Sequence, residues 1–421
     1  MTPRRRLVEA LAARLPFHYG WVILACVCLA GFSRQGSAVG TLSIFVEPMT
    51  REFSWSRTSI SAAVSVGGVL GALISPALGS FLDRNGARAV LLLAVLLTGA
   101  ATLLLSFTQS LAWFFVIYCV ARMSFAGPYE LGIYGSVVNW FFRRRAFATS
   151  VVTLTQMIGL ITMPPIAYFV MQAAGWRSAW AAVGITVLVV GFLPVWLLHV
   201  RKPEDLGQRL DGDAAAPALA SGTGARAPEP AYTRAQALAT PAFWLLGFFT
   251  LLVFPVQAGI SLHQAPLLIE RGLAPGVAAA AVSLFALFSA IAGFAYGFWP
   301  RRVPLWFALL LTALALCAAS LLMSRVASAA QACAAASLFG AGVGGLLTML
   351  PIAWADYFGR SSYGAIRGVA LGFQVAGQAA GPVLSGALRD WTGDYGASLA
   401  TFAALAFAGG VAALFVGPPR R

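Results

Sequence analysis

Long apolar segments recur along the whole chain, and they constrain its fold more than any other feature of the sequence. Each has about 20 residues and few charges, which is the length that an α-helix needs to cross a lipid bilayer. Of the 421 residues, 59% are hydrophobic and only 10% are charged, against about 25% charged residues in soluble domains. The sequence therefore predicts an all-α membrane protein with twelve transmembrane helices. The predicted spans are residues 18–42, 57–80, 87–107, 111–139, 145–171, 178–199, 242–268, 276–298, 303–323, 328–354, 364–387 and 397–417.

The net charge is +14, and the positions of the basic residues along the chain indicate how the protein is oriented in the membrane. If the first span starts in the cytoplasm and every segment crosses, 20 of the 28 Lys and Arg residues fall on the cytoplasmic side, Arg367 among them. This is the bias of the positive-inside rule. We therefore expect a multi-pass protein of a bacterial-type inner (plasma) membrane, with both termini cytoplasmic and with no nucleic-acid partner. Residues 1–6 contain three arginines and lack the apolar core of a cleaved signal peptide, so we expect a cytoplasmic tail there.

Residues 201–240 interrupt the apolar pattern and divide the chain into two halves. Small residues and prolines dominate this segment, a composition that cannot bury a core and is typical of a flexible linker. We expect a tail at 1–17, a six-helix bundle at 18–200, the cytoplasmic linker at 201–240, a second six-helix bundle at 241–418 and a tail at 419–421. Prolines at similar depths in the fifth and eleventh spans favour two pseudo-symmetric bundles.

One charged segment between the second and third spans has the form G-x-x-x-D-R-x-G-x-R. It predicts a loop in which Gly79 and Gly86 allow close packing and a sharp turn, and in which Asp83 can meet the N-terminal dipole of a neighbouring helix. The segment, with Arg84 and Arg88, closely resembles the loop 2–3 signature of the major facilitator superfamily of secondary transporters. That resemblance implies alternating access around a site near the membrane midplane, with these five residues in the conformational switch.

Four patches further resemble the monocarboxylate and oxalate/formate transporter group of that superfamily. The resemblance implies a small organic anion as substrate. Members of the group place an arginine in the eighth span, facing the substrate carboxylate, but residues 276–289 carry no charge here. A counter-charge for a carboxylate must therefore come from elsewhere. The patches are Gly20-Trp21, Trp140-Phe-Phe-Arg143-Arg144-Arg145, Leu262-His263-Gln264-Ala-Pro266 and Asp356-Tyr-Phe-Gly359-Arg360.

Charges inside the spans are candidates for the transport site, because each costs about 2.5–3.5 kcal/mol on insertion scales. Arg34 is the candidate counter-charge, since arginine can hold a carboxylate through two parallel hydrogen bonds. A structural pair between Arg34 and Glu130 is the alternative. Glu130 follows a Gly-Pro break and is a candidate proton carrier, although a neutral or ion-paired glutamate fits equally well. Arg122, about 12 Å away from Glu130 along the same helix, resembles the span-four arginine of many facilitators and is assigned to the switch.

Other polar residues in the spans complete the candidate site. Histidine as a residue type titrates near neutral pH, which makes His263 a candidate for proton coupling, although a packing role is the alternative. The candidate substrate contacts, together with Arg34, are Gln35, Tyr129, His263, Gln264, Gln374 and Gln378. The five cysteines lie within apolar segments, where they are typical of small buried residues, so we expect no metal or cofactor.

The sequence favours a secondary active transporter of a small organic anion, a monocarboxylate, coupled to protons or to a counter-anion. The lipid bilayer is its environment, and no obligate protein partner and no enzymatic activity are expected. An exporter of a hydrophobic or drug-like compound is the alternative, favoured by the uncharged, aromatic-rich second half. A non-transporting receptor or scaffold is a third hypothesis, but the sequence has no long soluble sensory domain to support it.

Overall fold

Helices make up nearly all of the structure, a computed structural model that describes residues 3–212, 230–300 and 302–419. The middle of the predicted linker, Arg301 and the last two residues of the predicted C-terminal tail lie outside the described residues. The α-helices are α1 (Pro3–Arg14), α2 (Gly20–Arg34), α3 (Val39–Phe53), α4 (Arg57–Asn85), α5 (Ala87–Leu104), α6 (Leu111–Ala126), α7 (Pro128–Trp140), α8 (Arg145–Thr186), α9 (Leu193–Leu198), α10 (Arg234–Leu238), α11 (Pro241–Glu270), α12 (Pro275–Tyr296), α13 (Leu305–Met323), α14 (Ala329–Phe358), α15 (Tyr363–Thr392) and α16 (Gly396–Phe415).

Ten helical segments of the described chain are long and apolar enough to cross a membrane. One of them, Arg145–Leu198, contains a break at Gly175, where a φ of 81° ends one helix and starts the next. This segment therefore supplies two spans. The more polar α15 is a further helix of 30 residues, which brings the number of spans to the predicted twelve.

The second and third spans meet in a turn that is shorter than predicted. The expectation of a charged loop over residues 79–88 is wrong, because α4 continues through Gly79 and Asp83 to Asn85, and α5 starts at Ala87. Gly86 alone separates the two helices, with a φ of 89° that favours glycine. The polar residues of the last turn of α4 mark the edge of the apolar segment and do not end the helix.

The first span is interrupted in its middle. After α2 ends at Arg34, a 3₁₀ turn covers Gln35–Ser37, Ala38 is extended, and α3 begins at Val39. The hydroxyl of Thr41 donates a 2.7 Å hydrogen bond to the carbonyl of Gln35. Such a break frees backbone groups and places Arg34 at a helix end inside the apolar segment.

The chain forms two compact units. The first comprises Met1–Ala148, Ile158–Arg234 and Phe358–Gly368. Within it, α5 packs against α6 and α7, α4 packs against α6, and α2 packs against α7. The start of α15 therefore belongs to the first unit.

The second unit comprises Thr149–Met157, Ala235–Tyr357 and Val369–Arg421. Within it, α11 and α13 pack against α16. Gly340 and Gly344 of α14 lie against the backbone of α12, where a Cβ would collide with the carbonyl groups of Phe285 and Ser289. Small residues thus allow close contact between these two helices. The domain boundaries at residues 200 and 241 stay a prediction.

Residues 201–212 of the predicted linker are anchored to the first unit. The carboxylate of Asp211 accepts hydrogen bonds from the backbone N–H groups of Phe142, Arg143 and Arg144, at 3.1, 2.7 and 3.2 Å. These three residues lead into α8, so Asp211 satisfies donors that the start of a helix leaves unpaired.

Candidate functional site

A buried cluster of three charged side chains, Arg34, Glu130 and Arg367, lies in the first unit. One carboxylate oxygen of Glu130 is 2.9 Å from Nη1 of Arg34, and the other is 3.0 Å from Nη2 of Arg367. The three residues are only 6%, 5% and 1% exposed. Each carboxylate oxygen of Glu130 therefore pairs with a different arginine, and both ion pairs are shielded from water.

Helix ends bring these side chains together. Glu130 lies in the first turn of α7, two residues after Pro128. Proline is favoured at the start of a helix, and the helix dipole stabilises a negative charge there. Arg34 is the last residue of α2, where the dipole stabilises a positive charge. The breaks in the first and fourth spans therefore prepare a site for opposite charges.

Phe125 connects Arg34 to Arg122. The carbonyl of Phe125 accepts a 3.1 Å hydrogen bond from Nε of Arg34. Its ring centre lies 4.2 Å from Cζ of Arg34 and 4.4 Å from Cζ of Arg122. Both guanidinium groups are within the range of cation–π attraction, so one aromatic ring positions two arginines.

Arg367 is the member of the cluster that the sequence analysis missed. From the sequence it is placed among the cytoplasmic charges and given no role in the site, whereas in the structure it is buried and bonded to Glu130. It is the fourth residue of the predicted span 364–387. That position was the available signal, because an arginine inside an apolar segment requires a partner.

Asp83 holds the first turn of α15. Its two carboxylate oxygens accept hydrogen bonds from the backbone N–H groups of Gly364 and Ala365, each at 2.8 Å. Gly79 and Gly364 are in direct backbone contact, since a Cβ on either would collide with the other residue's carbonyl group. The carboxylate thus meets a positive helix end, which is a favourable interaction of charge and dipole.

The other residues of the predicted switch lie around the same turn. Arg84 is exposed. Arg88 donates a 3.0 Å hydrogen bond to the carbonyl of Trp196. Gly86 lies against the side chain of Arg201, and a Cβ at Gly86 would collide with it.

A cavity of about 220 Å³ adjoins Asp83 and not the Glu130 cluster. Its lining is strongly charged and includes Arg201, Lys202 and Glu204, of which Glu204 pairs with Arg360 at 3.0 Å. It is an open, polar pocket at the ends of helices. The cluster around Glu130, by contrast, is tightly packed in this conformation.

The remaining candidate substrate contacts divide between the two units. Gln35 and Tyr129 are buried in the first unit, each beside one member of the Arg34–Glu130 pair in the chain. His263, Gln264, Gln374 and Gln378 belong to the second unit. The structure therefore brings four of the predicted site residues together in the first unit.

In the second unit, the amide of Gln264 stands out. The residue is 1% exposed, and within the described ranges neither its amide nitrogen nor its amide oxygen has a hydrogen-bond partner. His263 is partly exposed, with its ring centre 5.5 Å from that of Tyr395. Gln374 is buried and Gln378 is partly exposed. Among the described residues there is no group of three or more His, Cys, Asp or Glu side chains that could hold a metal ion.

Comparison with known proteins gives a family and a set of relatives. The model of the Major Facilitator Superfamily matches residues 23–324. An uncharacterised MFS-type transporter of Bacillus subtilis, YcxA, is 24% identical over 164 residues, which are 39% of this chain and 40% of the relative. Monocarboxylate transporter 14 of Homo sapiens is 25% identical over 198 residues, 45% of this chain and 38% of the relative. The chain thus spans about two fifths of the length of these curated relatives.

Solved structures share the fold over nearly the whole chain. The human organic anion transporter MFSD10 (TETRAN) superimposes with a TM-score of 0.72 at 16% identity, covering 98% of this chain and 100% of that protein. The proton:xylose symporter XylE, bound to 6-bromo-6-deoxy-D-glucose, gives 0.73 at 13% identity, covering 95% and 96%. Family and fold agree with the twelve spans described above, and this chain belongs to the Major Facilitator Superfamily, a family of multi-pass membrane transporters.

Proposed function

We propose that this transporter moves a small organic anion, a monocarboxylate, by alternating access and couples its movement to a proton. The observation that carries the proposal is the carboxylate of Glu130, buried and shared between Arg34 and Arg367. The proposal also places the protein in a bacterial-type inner membrane with both termini in the cytoplasm.

Glu130 provides the coupling between proton and anion. While Glu130 is ionised, its carboxylate is paired with Nη1 of Arg34. A proton on Glu130 removes that negative charge, and the guanidinium of Arg34 then favours another carboxylate, since an uncompensated buried charge is costly. One proton and one monovalent anion therefore enter the site together. Exchange against a counter-anion at Arg34 would need no proton and is the variant that the experiment below separates.

The relatives support the substrate class. The name of monocarboxylate transporter 14 gives a monocarboxylate as the substrate of that protein, and four patches of this sequence resemble the same group. His263, Gln264, Gln374 and Gln378 stay candidate substrate contacts in this proposal. Gln264 is the strongest of these, because a buried amide without a partner is costly unless a ligand satisfies it.

Asp83 controls the exchange of conformations in this proposal. Its hydrogen bonds to Gly364 and Ala365 hold the first turn of α15 against α4. These bonds belong to one state of the cycle and must break in the other. Gly79, Gly86, Arg84 and Arg88 shape the same helix ends and serve this switch.

Uptake into proteoliposomes tests the function. Labelled lactate, pyruvate and formate are offered with an inward proton gradient, with an ionophore that collapses the gradient, and with empty liposomes as controls. We expect gradient-driven accumulation by the native protein and its loss in Arg34→Gln. In Glu130→Gln, accumulation should be lost while exchange of labelled for unlabelled substrate persists. Uptake of none of the acids by properly inserted protein would contradict the proposal and favour export of a hydrophobic compound.

A further inference from the structure

We propose that Arg122 is the second arm of the anion site, so that the substrate carboxylate binds between Arg122 and Arg34. The inference rests on the proposed function, and it gives Arg122 a direct contact with substrate in place of the switch role expected from the sequence.

The geometry places the two guanidinium groups within reach of one carboxylate. The Cζ atoms of Arg34 and Arg122 lie 4.2 Å and 4.4 Å from the centre of the same Phe125 ring. The distance between the two Cζ atoms is therefore at most about 8.6 Å. A carboxylate that accepts a hydrogen bond of about 2.8 Å from each of two guanidinium groups can bridge any separation up to this limit. The rest of the substrate must then lie outside the gap.

Arg122 has no acidic partner among the described residues. Its buried Nε atom donates no hydrogen bond within those ranges. The described elements that pack against α6 include α4, α5, α7 and the 3₁₀ turns Gln35–Ser37 and Leu105–Phe107. Their described residues carry two carboxylates, and both are engaged: Asp83 with the amides of Gly364 and Ala365, and Glu130 with Arg34 and Arg367.

Packing alone does not neutralise Arg122. Its Cβ and Cγ atoms lie against Gly67 of α4, which fixes the side chain in place and leaves its charge unchanged. The ring of Phe125 is a weak substitute for an anion, and it is already shared with the like charge of Arg34. The Nε atom of Arg122 is buried, although the residue as a whole is partly exposed. A cation inside a membrane helix requires a negative partner or a water-filled cavity. A carboxylate arriving with Arg34 on its other side meets this requirement.

The site therefore selects for charge. Two guanidinium groups offer several N–H donors in a planar arrangement that fits a carboxylate. A neutral amide of the same shape brings no negative charge, and its NH₂ group places hydrogen atoms where acceptors are needed. We expect lactate to bind and lactamide to be rejected.

Ligand-induced thermal stabilisation of the purified protein in detergent tests the inference. The ligands are L-lactate and L-lactamide, and the variants are Arg122→Gln, Arg122→Lys and Arg177→Gln. Arg177 pairs with Glu52 in the same unit, so its variant is the matched control. In the native protein and in the control, lactate should raise the melting temperature and lactamide should not. In Arg122→Gln the lactate shift should vanish and the KM for lactate uptake should rise at least tenfold.

The outcomes separate this inference from the proposed function. If the native protein transports lactate and Arg122→Gln keeps its KM within twofold, Arg122 is structural and the inference is overturned. A native protein that neither binds nor transports any carboxylate overturns both. If Arg122→Gln does not fold, Arg122→Lys decides the question, because it keeps the charge and loses the planar donor pair. A KM raised severalfold in that variant supports the inference, and an unchanged KM contradicts it.

Discussion

Arg367 donates a 3.0 Å hydrogen bond to Glu130, although 237 positions separate the two residues in the chain. The bond joins the start of α15 to the start of α7. The backbone N–H groups of Gly364 and Ala365, also at the start of α15, donate hydrogen bonds to the carboxylate of Asp83 on α4. Two carboxylates on different helices therefore hold the same end of α15, one through its backbone and one through a side chain.

The Glu130–Arg367 bond should be measurable as a coupling energy. Arg367→Gln removes a hydrogen bond between charged groups in a buried site, which should lower stability by about 1–3 kcal/mol. The double variant with Glu130→Gln should be less destabilised than the sum of the single variants, by about 0.5–3 kcal/mol. Unfolding of the detergent-solubilised protein measures both. Strict additivity would show that the two side chains do not interact, and Arg177→Gln, which breaks an exposed pair, should cost about 1 kcal/mol or less.

Alanine at position 79 should impair transport, whereas alanine at position 68 should not. Both glycines lie on α4, but a Cβ at Gly79 would collide with the carbonyl of Gly364, and a Cβ at Gly68 meets nothing within 4 Å. Gly79→Ala must therefore move α4 away from the start of α15. Gly68→Ala should be neutral or stabilising by up to about 1 kcal/mol, because alanine favours helix. Initial rates of substrate exchange provide the comparison, and equal rates in the two variants would contradict the prediction.

Asp83→Asn should weaken the attachment of α15 to α4. The substitution removes the charge that interacts with the helix dipole, at a cost of about 0.3–2 kcal/mol, and leaves one carbonyl oxygen as an acceptor. Spin labels at the exposed positions 84 and 361, in a background without native cysteines, report the distance between the two helix ends. We expect Asp83→Asn to show a population with a longer distance between the labels than the protein with Asp83 shows. Identical distance distributions would show that the carboxylate does not hold this contact.

Gln264→Met should stabilise the protein without substrate and reduce its affinity for substrate. The amide of Gln264 is buried, and its nitrogen and oxygen lack hydrogen-bond partners in the described part of the chain. Replacing such a group with an apolar side chain of similar shape should recover up to about 1–3 kcal/mol. The melting temperature in detergent and the KM for uptake measure the two effects. A lower melting temperature would mean that the amide has a structural partner, and an unchanged KM would exclude it from the substrate site.

Local patterns in the sequence sufficed for much of this architecture. The apolar segments predicted the number of spans, because a helix that crosses a bilayer needs about 20 predominantly apolar residues. The Gly127-Pro128 pair predicted the break before Glu130, and the loop 2–3 signature led to Asp83 and the end of a neighbouring helix. Each of these inferences needs only neighbouring residues and the rules of helix ends.

Long-range partners could not be derived in the same way. Arg367 lies near the start of a span and is assigned from the sequence to the cytoplasmic side, because hydropathy does not show which side chain an arginine faces. The choice between a substrate role and a Glu130 pair for Arg34 also depended on three-dimensional placement. The structure contains the pair, and the transport proposal requires that pair to be exchanged for substrate during the cycle.

The shared carboxylate of Glu130 also limits how related sequences can diverge from this one. Losing Glu130 alone strands two buried cations, and losing either arginine alone changes the charge of the whole cluster. Acceptable replacements must therefore arise as coordinated sets that involve the first, fourth and eleventh spans together. A homologue in which one of these three positions has changed should carry a compensating change at another. Such correlated substitutions would identify the family members that contain the cluster.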